Sequence, residues 1–345
     1  MKAYEIGDTR NGLALRMVER PMPVPGPGEV LYRIRATGLN ARDMTLLLGL
    51  GREPGPETRV PLMDNAGEVA GVGPGVTRVK VGDRVAMTHY WQWLDGAWDV
   101  KMREQDFAGT RDGFLAEYLI VPEAPLVHLP DEMSFESAST LQSAGLTAWN
   151  AVIESGRARP SDVIVTLGTG GVSVFGLQWA KLIGARVIIT SSSDAKLERM
   201  TALGADNTIN YRATPRWSDA VLALTGGRGA DIVLNTVGMG EMEQCLLACA
   251  SGGRVMYIGA NPVAPDRKMP TPTALANFPN LIIKDLTIKG VTVGSRRMFE
   301  DMLKAMAVNK IEPVIDRVFD FADAQAAVAY MQSGEKLGKV VIRID

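Results

Sequence analysis

A glycine-rich turn between an apolar run and a helix-like segment constrains the fold of this chain more than any other feature. The run Val163–Leu167 is almost wholly apolar, which is typical of a strand buried on both faces, and it leads into Gly168-Thr169-Gly170-Gly171-Val172-Ser173. The next segment has helical composition up to Gly184, and a second apolar run, Arg186–Thr190, follows it. This order of strand, glycine turn, helix and strand predicts a parallel sheet covered by helices.

The same alternation continues along the chain and predicts a doubly wound domain, so the predicted fold class is α/β. Strands are expected at Val163–Leu167, Arg186–Thr190, Thr208–Asn210, Asp231–Val237, Arg254–Gly259 and Leu286–Val293. The helices between them are expected at Gly171–Ile183, Ala195–Leu203, Trp217–Leu224 and Glu241–Ala250.

The remaining sequence predicts a second domain, since 345 residues exceed what one ordinary core holds. The first third is rich in Gly and Pro and has short β-like runs, which is typical of a small β barrel. After Gly294 come a helix, expected at Met298–Val308, and a β-rich tail. We expect this tail to return to the first domain.

The composition argues against several classes of function. Lys and Arg number 37 against 39 Asp and Glu, a net charge of −2, so the basic surface that binds nucleic acid is not expected. The first residues have no apolar signal segment, and no run approaches the ~18 apolar residues of a membrane span. A cytoplasmic protein without membrane contact is therefore predicted. With two cysteines, no disulfide framework is implied.

The glycine turn has the residues needed to bind the diphosphate of a dinucleotide. Gly168 permits a tight turn, Gly170 lets the backbone approach a pyrophosphate, and the small Ser173 replaces the usual third glycine where helix meets strand. The phosphates then lie at the helix N-terminus, where unpaired N–H groups favour negative charge. The residues predicted to bind the dinucleotide here are Gly168, Thr169, Gly170, Gly171 and Val172.

The residue that closes the second strand selects between the two nicotinamide coenzymes. An acidic side chain there binds a free ribose 2′-hydroxyl and repels a 2′-phosphate, but in this chain the residue is Ser191. NADP(H) is therefore the predicted coenzyme. Asp194 argues against it, although three residues beyond the strand it is expected to cap the next helix. The residues expected around the 2′-phosphate are Ser191, Ser192, Ser193, Lys196 and Tyr211.

From end to end, the chain resembles the medium-chain dehydrogenase/reductase superfamily, which contains zinc alcohol dehydrogenases and zinc-free quinone reductases. The stretches that carry the resemblance are Gly38–Asp43, Ala66–Val69, Val81–Val85, Gly113–Tyr118, Ala144–Trp149, the Gly168 turn, Leu203–Asp206 and Gly338–Val341. The resemblance implies a GroES-like β-barrel catalytic domain formed by residues 1–143 and 293–345, and a Rossmann domain formed by residues 144–292. It also implies a homodimer that pairs strands around Leu281–Val293.

In the zinc-dependent members of that superfamily, a Cys, a His and a second Cys hold the catalytic metal, with an acidic residue beside the His. The corresponding residues here are Asn40, Met63 and Ser143, with Asp64 in the acidic place. An amide, a thioether and a hydroxyl do not replace thiolates and imidazole around Zn²⁺. The region of the structural zinc lobe, Trp91–Asp112, contains no cysteine. No metal site is therefore predicted.

Without a metal, hydrogen-bond donors must stabilise the charge that develops on a substrate. Reduction of an enone or quinone suits such a site, because hydride reaches a carbon while the charge appears on a distant, delocalised oxygen. Asn40 is a candidate donor to that oxygen or to the nicotinamide ribose, although it could simply hold its loop. His89 is a candidate proton donor with an ordinary pKa of about 6.5, or alternatively a wall residue of the pocket. Asp64 completes the candidate catalytic set.

The other candidates come from the resemblance and from the ends of the later strands, the edge at which open α/β sheets bind ligands. They are Thr147 beneath the nicotinamide, Val237, Gly259 and Ala260 at strand ends, and Gly294 and Ser295 beside the carboxamide. The sequence thus predicts an NADPH-dependent reductase of a quinone, an enone or a related carbonyl compound. The alternatives are a zinc-free NADP-dependent alcohol or carbonyl dehydrogenase, and a protein that binds NADPH without catalysis.

Overall fold

The computed structural model describes residues 1–6, 15–48, 58–259 and 279–345, and the chain divides into two compact units. One unit is formed by Met1–Leu146 together with Val293–Asp345, and the other by Thr147–Thr292. In the described part of the chain, no helix is long and apolar enough to span a membrane.

The strands and helices of both units are numbered in chain order. The strands are β1 (Lys2–Ile6), β2 (Leu15–Glu19), β3 (Glu29–Leu39), β4 (Ala66–Val72), β5 (Arg84–Met87), β6 (Tyr118–Pro122), β7 (Leu126–His128), β8 (Val163–Leu167), β9 (Arg186–Ser191), β10 (Asn207–Asn210), β11 (Ala230–Asn235), β12 (Cys249–Tyr257), β13 (Thr287–Gly290), β14 (Ile315–Asp320) and β15 (Lys339–Arg343). The helices are α1 (Ala41–Leu47), α2 (Phe135–Ala138), α3 (Leu146–Trp149), α4 (Gly171–Leu182), α5 (Asp194–Ala202), α6 (Trp217–Leu224), α7 (Met242–Ala248), α8 (Asn280–Ile283), α9 (Arg296–Asn309) and α10 (Ala324–Gln332).

The inserted unit contains a parallel sheet. Among its described residues, six strands run in the order β10-β9-β8-β11-β12-β13, and every pairing between neighbours is parallel. All five residues of β8 are buried, which explains why the sequence of this strand is a continuous apolar run. The chain proceeds outward from β8 on one side and from β11 on the other, so the strand order reverses between these two strands. This is a doubly wound sheet, and the predicted α/β class is confirmed.

The other unit contains a sheet of the GroES-like type, ordered β14-β15-β3-β4-β5-β7 among the described residues, with β6 also pairing with β3. The long strand β3 alternates buried and less buried residues until its last four, which are all buried. The C-terminal strand β15 pairs antiparallel with the end of β3, so that Val340 lies opposite Leu39. The tail of the chain therefore returns to its first part, and this pairing brings Lys339 next to Asn40.

Two segments illustrate how the boundaries differ from the sequence prediction. The last predicted strand, Leu286–Val293, is shortened to β13, and α8 precedes it. The helix predicted at Glu241–Ala250 ends at Ala248, because Cys249 already begins the buried strand β12. In both cases a short apolar segment is compatible with more than one secondary structure, and tertiary burial decides between them.

Candidate functional site

The glycine turn after β8 leads into α4 without a side chain that caps the N-terminus of the helix. Gly168 has φ +76°, a conformation that side chains with a Cβ rarely adopt, and Gly170 precedes α4 with no side chain capping the helix. The Gly168 amide donates to Thr190 Oγ1 at 3.2 Å, and Ser173 Oγ donates to Leu167 O at 2.6 Å. These two hydrogen bonds fix the turn at both of its ends. The first N–H groups of α4, a twelve-residue helix, retain the partial positive charge that attracts a phosphate.

The close approach between helix and sheet belongs to Gly176, a residue that the sequence analysis did not identify. A Cβ on Gly176 would lie 2.6 Å from Leu234 Cδ1 on β11, so only glycine fits without a shift of that leucine. Ser173 was expected to provide this close packing. It is buried instead as a hydrogen-bonding residue, whose Oγ also lies 3.3 Å from Thr236 Oγ1.

At the end of β9 the structure places the residues expected around the ribose. Ser191 is the last residue of β9 and is buried, and its carbonyl accepts a hydrogen bond from the Tyr211 amide at 3.0 Å. Tyr211 is 41% exposed, and Ser192 and Lys196 are half-buried. These residues therefore surround one end of β9, the position at which coenzyme choice is made in a doubly wound sheet.

One expectation about this region is wrong. Ser193, not Asp194, caps α5: its side chain accepts from the Lys196 amide, and Asp194 is the first helical residue. The Asp194 carboxylate accepts from Asn210 Nδ2 at 2.6 Å, which fixes it against β10. A serine cap accounts for the helix start as well as an aspartate would.

Arg212 is a cation that the sequence analysis did not consider. It directly follows Tyr211 and is exposed, and its amide donates to Asn210 Oδ1 at 3.0 Å. Because Asn210 pairs with Ser191 in the parallel register of β10 and β9, Arg212 lies near the end of β9. The sequence shows Arg212 as a basic residue just beyond a predicted strand. Its position near the end of β9 could be recognised only from the register between β10 and β9.

The candidates after the later strands lie in turns rather than at strand ends. β11 ends at Asn235 and β12 at Tyr257, so Val237 and Gly259 each lie two residues beyond a strand. Asn235 orders both turns, since its side chain accepts from the Val237 amide at 3.1 Å and its carbonyl accepts from the Gly259 amide at 3.0 Å. Ala260 lies outside the described residues.

Thr147, Gly294 and Ser295 have identifiable surroundings within their own units. Thr147 is buried in α3, which is flanked by two wide, π-type turns, a geometry that is frequent at functional sites. Gly294 packs against Leu146, where an added Cβ would lie 2.7 Å from Cγ. Ser295 caps α9 by accepting from the Met298 amide at 3.2 Å. The hydroxyl of Ser295 thus has a structural role.

Asn40 and Asp64 meet in a buried polar cluster around Lys339. The Lys339 ammonium donates to Leu39 O at 2.9 Å, to Asn40 Oδ1 at 2.7 Å and to Asp64 Oδ2 at 2.8 Å. Asp64 also accepts from the Ser143 amide at 3.0 Å. Sequence reasoning found Asn40 and Asp64 but not Lys339, which lies 299 residues from Asn40 in the chain.

Asp43 is a second buried carboxyl beside this cluster. Its Oδ2 accepts from the Asn40 amide at 2.8 Å, whereas its Oδ1 has no partner among the described residues. Burial, followed by the charge of Asp64, raises the pKa of Asp43 to about 7. The carboxyl therefore gains or loses a proton in the neutral range.

We predict that replacing Asp43 by Asn weakens the pH dependence of stability between pH 5 and 8. The folded protein holds a proton on Asp43 that the unfolded chain has already released above about pH 4, so the stability that this proton contributes is lost as pH rises through 7. Asp43→Asn mimics the protonated carboxyl at every pH. At about 1.4 kcal/mol per pKa unit, it should gain up to about 3 kcal/mol relative to the wild type between pH 5 and pH 8.

The measurement is the free energy of unfolding in urea at pH 5, 6, 7 and 8. Asp95→Asn serves as the matched control, because the Asp95 side chain is 66% exposed and its curve should run parallel to that of the wild type. Equal pH slopes for Asp43→Asn and wild type would show that Asp43 is ionised throughout this range.

His89 belongs to a different buried group, together with Asp106 and Arg42. Arg42 forms a bidentate ion pair with Asp106, and His89 Nε2 lies 3.3 Å from Asp106 Oδ1. The geometry at that distance does not make a hydrogen bond, and neither ring nitrogen of His89 has another partner among the described residues. Burial and the charge of Arg42 hold the pKa of His89 well below 6.5. The ordinary pKa assumed from the sequence is therefore wrong, and the imidazole is neutral at pH 7.

The donor set does not fit a catalytic zinc. The positions that the family resemblance assigns to the thiolate and imidazole ligands are occupied by Asn40, Met63 and Ser143. The carboxylate of Asp64 forms an ion pair with Lys339. Near Met63, the Arg42 guanidinium lies 3.9 Å from the thioether sulfur. Within the described ranges, no three His, Cys, Asp or Glu residues gather as a metal site.

Two family models match the chain. The model described as an alcohol dehydrogenase GroES-like domain matches residues 26–131, and the model described as a zinc-binding dehydrogenase matches residues 171–308.

Individual proteins match between two thirds and the whole of the chain. A zinc-type alcohol dehydrogenase-like protein of Schizosaccharomyces pombe is 38% identical over 321 residues, which are 92% of each chain. A quinone oxidoreductase of Pseudomonas aeruginosa is 35% identical over 68% of this chain and 66% of its own. Among solved structures, an NAD-dependent alcohol dehydrogenase has a TM-score of 0.86 and 32% identity with full coverage of both chains.

Proposed function

The chain belongs to the medium-chain dehydrogenase/reductase superfamily, and from that premise we propose that it is a zinc-independent, NADPH-dependent oxidoreductase that reduces a quinone, an enone or a related carbonyl compound. The observation that carries this proposal is the buried, hydrogen-bonded set Asn40, Asp64 and Lys339, two members of which the family resemblance aligns with residues of the catalytic metal site. The set offers the buried Asn40 NH₂ group as a hydrogen-bond donor in place of a metal ion.

The proposed coenzyme site is formed by the turn after β8 and by the residues around the ends of β9 and β10. The open start of α4 suits the diphosphate, and Ser191 leaves room for a 2′-phosphate that an acidic residue would repel. Lys196, Tyr211 and Arg212 are proposed to contact that phosphate. When bound, NADPH supplies the hydride. The solved NAD-dependent neighbour does not decide the matter, because coenzyme choice depends on the residue at this position in each chain.

The proposed substrate is one whose oxygen can be stabilised by hydrogen bonds alone. Asn40 Nδ2 is buried and has no acceptor among the described residues, so it is available to a ligand oxygen. In a quinone or an enone the negative charge is delocalised onto that oxygen, and such charge needs less stabilisation than a localised alkoxide. The neutral His89 is better suited to contact a substrate as a wall residue than to act as an imidazolium acid.

A second candidate is an NADP-dependent alcohol or carbonyl dehydrogenase without zinc. It is favoured by the similarity to the zinc-type alcohol dehydrogenase-like protein and to the NAD-dependent alcohol dehydrogenase. The quinone oxidoreductase relative favours the first candidate. The two candidates differ in the charge that the site must stabilise, because reduction of a saturated carbonyl produces a localised alkoxide. The residues around Asn40 would stabilise an alkoxide less well than a metal ion would.

Steady-state kinetics separates these candidates. NADPH consumption is followed with a simple quinone, a 2-alkenone and a saturated ketone, and alcohol oxidation is followed with NADP⁺. The proposal predicts turnover of the quinone or the alkenone at rates well above the saturated ketone. Turnover of the ketone and alcohol alone would favour the second candidate. Tight NADPH binding by fluorescence, without turnover of any substrate, would instead identify a protein that binds NADPH without catalysis.

We also propose that the protein acts in the cytoplasm as a homodimer. The strand β13 supports this assembly, since all four of its residues are exposed, it is the last strand of the sheet among the described residues, and an edge strand can extend a sheet across a two-fold axis. Sedimentation of the purified protein tests the proposal, because Lys289→Pro in β13 should shift a dimer towards monomer.

A further inference from the structure

Lys339 is a buried lysine with a complete set of partners. It is 2% exposed and begins β15, and its three N–H donors face three oxygen atoms, those of Leu39 O, Asn40 Oδ1 and Asp64 Oδ2. The Asp64 side chain is fully buried, so the ion pair is held away from water. An arrangement of this kind leaves the ammonium no freedom to rotate without losing a hydrogen bond.

This arrangement determines which way the Asn40 amide points. An ammonium group only donates, so the Asn40 atom that lies 2.7 Å from it must be the carbonyl oxygen and not the amide nitrogen. The NH₂ group is therefore the other substituent of Cγ in the amide plane, and it points away from the ammonium. Asn40 is 8% exposed, and its Nδ2 is buried with no acceptor among the described residues. A buried donor without a partner is costly, and it is expected to be satisfied when a ligand binds.

We propose that Lys339 is a positioning residue that holds the Asn40 amide so that its NH₂ group donates to an oxygen atom of the substrate. This inference rests on the proposed function. Lys339 acts in two ways: it excludes the flipped amide, and its charge draws electron density from the Asn40 carbonyl, which strengthens the N–H donors. Asp64 keeps the ammonium in place, since it is anchored in turn by the Ser143 amide.

The alternative is that Lys339 and Asp64 are only a structural ion pair. Removing Lys339 alone would not separate the two cases, because it would leave Asp64 buried and unpaired and could unfold the protein. The test therefore uses the double variant Lys339→Met with Asp64→Asn, which removes both charges and retains an acceptor for the Ser143 amide. The matched control makes the same change in the exposed pair Lys304 and Asp301, as Lys304→Met with Asp301→Asn.

The first readout is nuclear magnetic resonance of the asparagine side-chain amides in the protein without coenzyme. The Asn40 NH₂ signals are assigned by their loss in Asn40→Asp. We expect their nuclear Overhauser contacts to define one fixed amide orientation in wild type and in the control pair, and to report both orientations in Lys339→Met with Asp64→Asn. Unchanged Asn40 signals in that folded double variant would overturn the proposal.

The second readout is turnover of the quinone or alkenone that the wild type reduces. We expect kcat to fall roughly tenfold in the double variant with KM for NADPH unchanged, and adding Asn40→Asp should then cost no more than Asn40→Asp alone. Additive losses, or an unchanged kcat, would overturn the role of Lys339. Absence of turnover in wild type would instead end the proposed function, and the amide signals would then decide the orientation of Asn40 by themselves.

Discussion

Replacing Ser191 by Asp is expected to reverse or abolish the preference for NADPH over NADH. Ser191 closes β9, where a carboxylate would face the 2′-phosphate of NADPH but could accept a hydrogen bond from the free 2′-hydroxyl of NADH. At an effective dielectric constant of about 20, two like charges ~4 Å apart repel by about 4 kcal/mol, which corresponds to a change of roughly 10²- to 10³-fold in relative kcat/KM.

The measurement is kcat/KM for NADPH and for NADH with one quinone substrate. Ser191→Asn is the matched control, because it has nearly the shape of Asp without its charge and should keep the wild-type preference. An unchanged NADPH to NADH ratio in Ser191→Asp would show that the 2′-phosphate is bound elsewhere or that the chain uses NAD(H).

Replacing Asn40 by Asp is expected to lower kcat by roughly 10²- to 10³-fold, the usual effect of removing one donor to a developing oxyanion. The substitution keeps the shape of the side chain and an oxygen for Lys339, and it replaces the NH₂ donor, which faces away from Lys339, by a carboxylate oxygen that cannot donate. Because the coenzyme site in the inserted unit is unchanged, the Kd for NADPH should be unchanged.

The measurements are kcat and KM with the quinone or alkenone, and NADPH affinity by fluorescence, at pH 7.5. Asn309→Asp, at the exposed end of α9, adds the same charge at the surface and should behave as wild type. A wild-type kcat in Asn40→Asp would mean that Asn40 only holds its loop, the alternative role that the sequence analysis left open.

Much of the fold could be predicted because local pattern determines it. β8 is exactly bounded by its apolar run, and α6 begins and ends where its helical composition does. Boundaries were less predictable where two structures are locally compatible, as at Cys249, which lies inside the predicted helix but begins β12. The helix cap shows the same limit, since Ser193 and Asp194 are adjacent residues that both favour capping.

The candidate site was predictable only in part, because its chemistry depends on contacts between distant parts of the chain. Asn40 and Asp64 could be identified, but Lys339 reaches them through the pairing of β15 with β3, which no local pattern reveals. The neutral state of His89 likewise depends on its burial and on the nearby Arg42. Charge state and hydrogen-bond direction, which decide mechanism, therefore required the structure.

The most direct test of the account is the metal content of the protein measured together with its activity. Purified protein is analysed for zinc and other transition metals by mass spectrometry, and NADPH-dependent reduction of a quinone or alkenone is measured before and after dialysis against a strong chelator. We predict far less than one metal ion per chain and an unchanged rate after dialysis. One bound zinc per chain, with activity lost on its removal and restored by its return, would contradict the account.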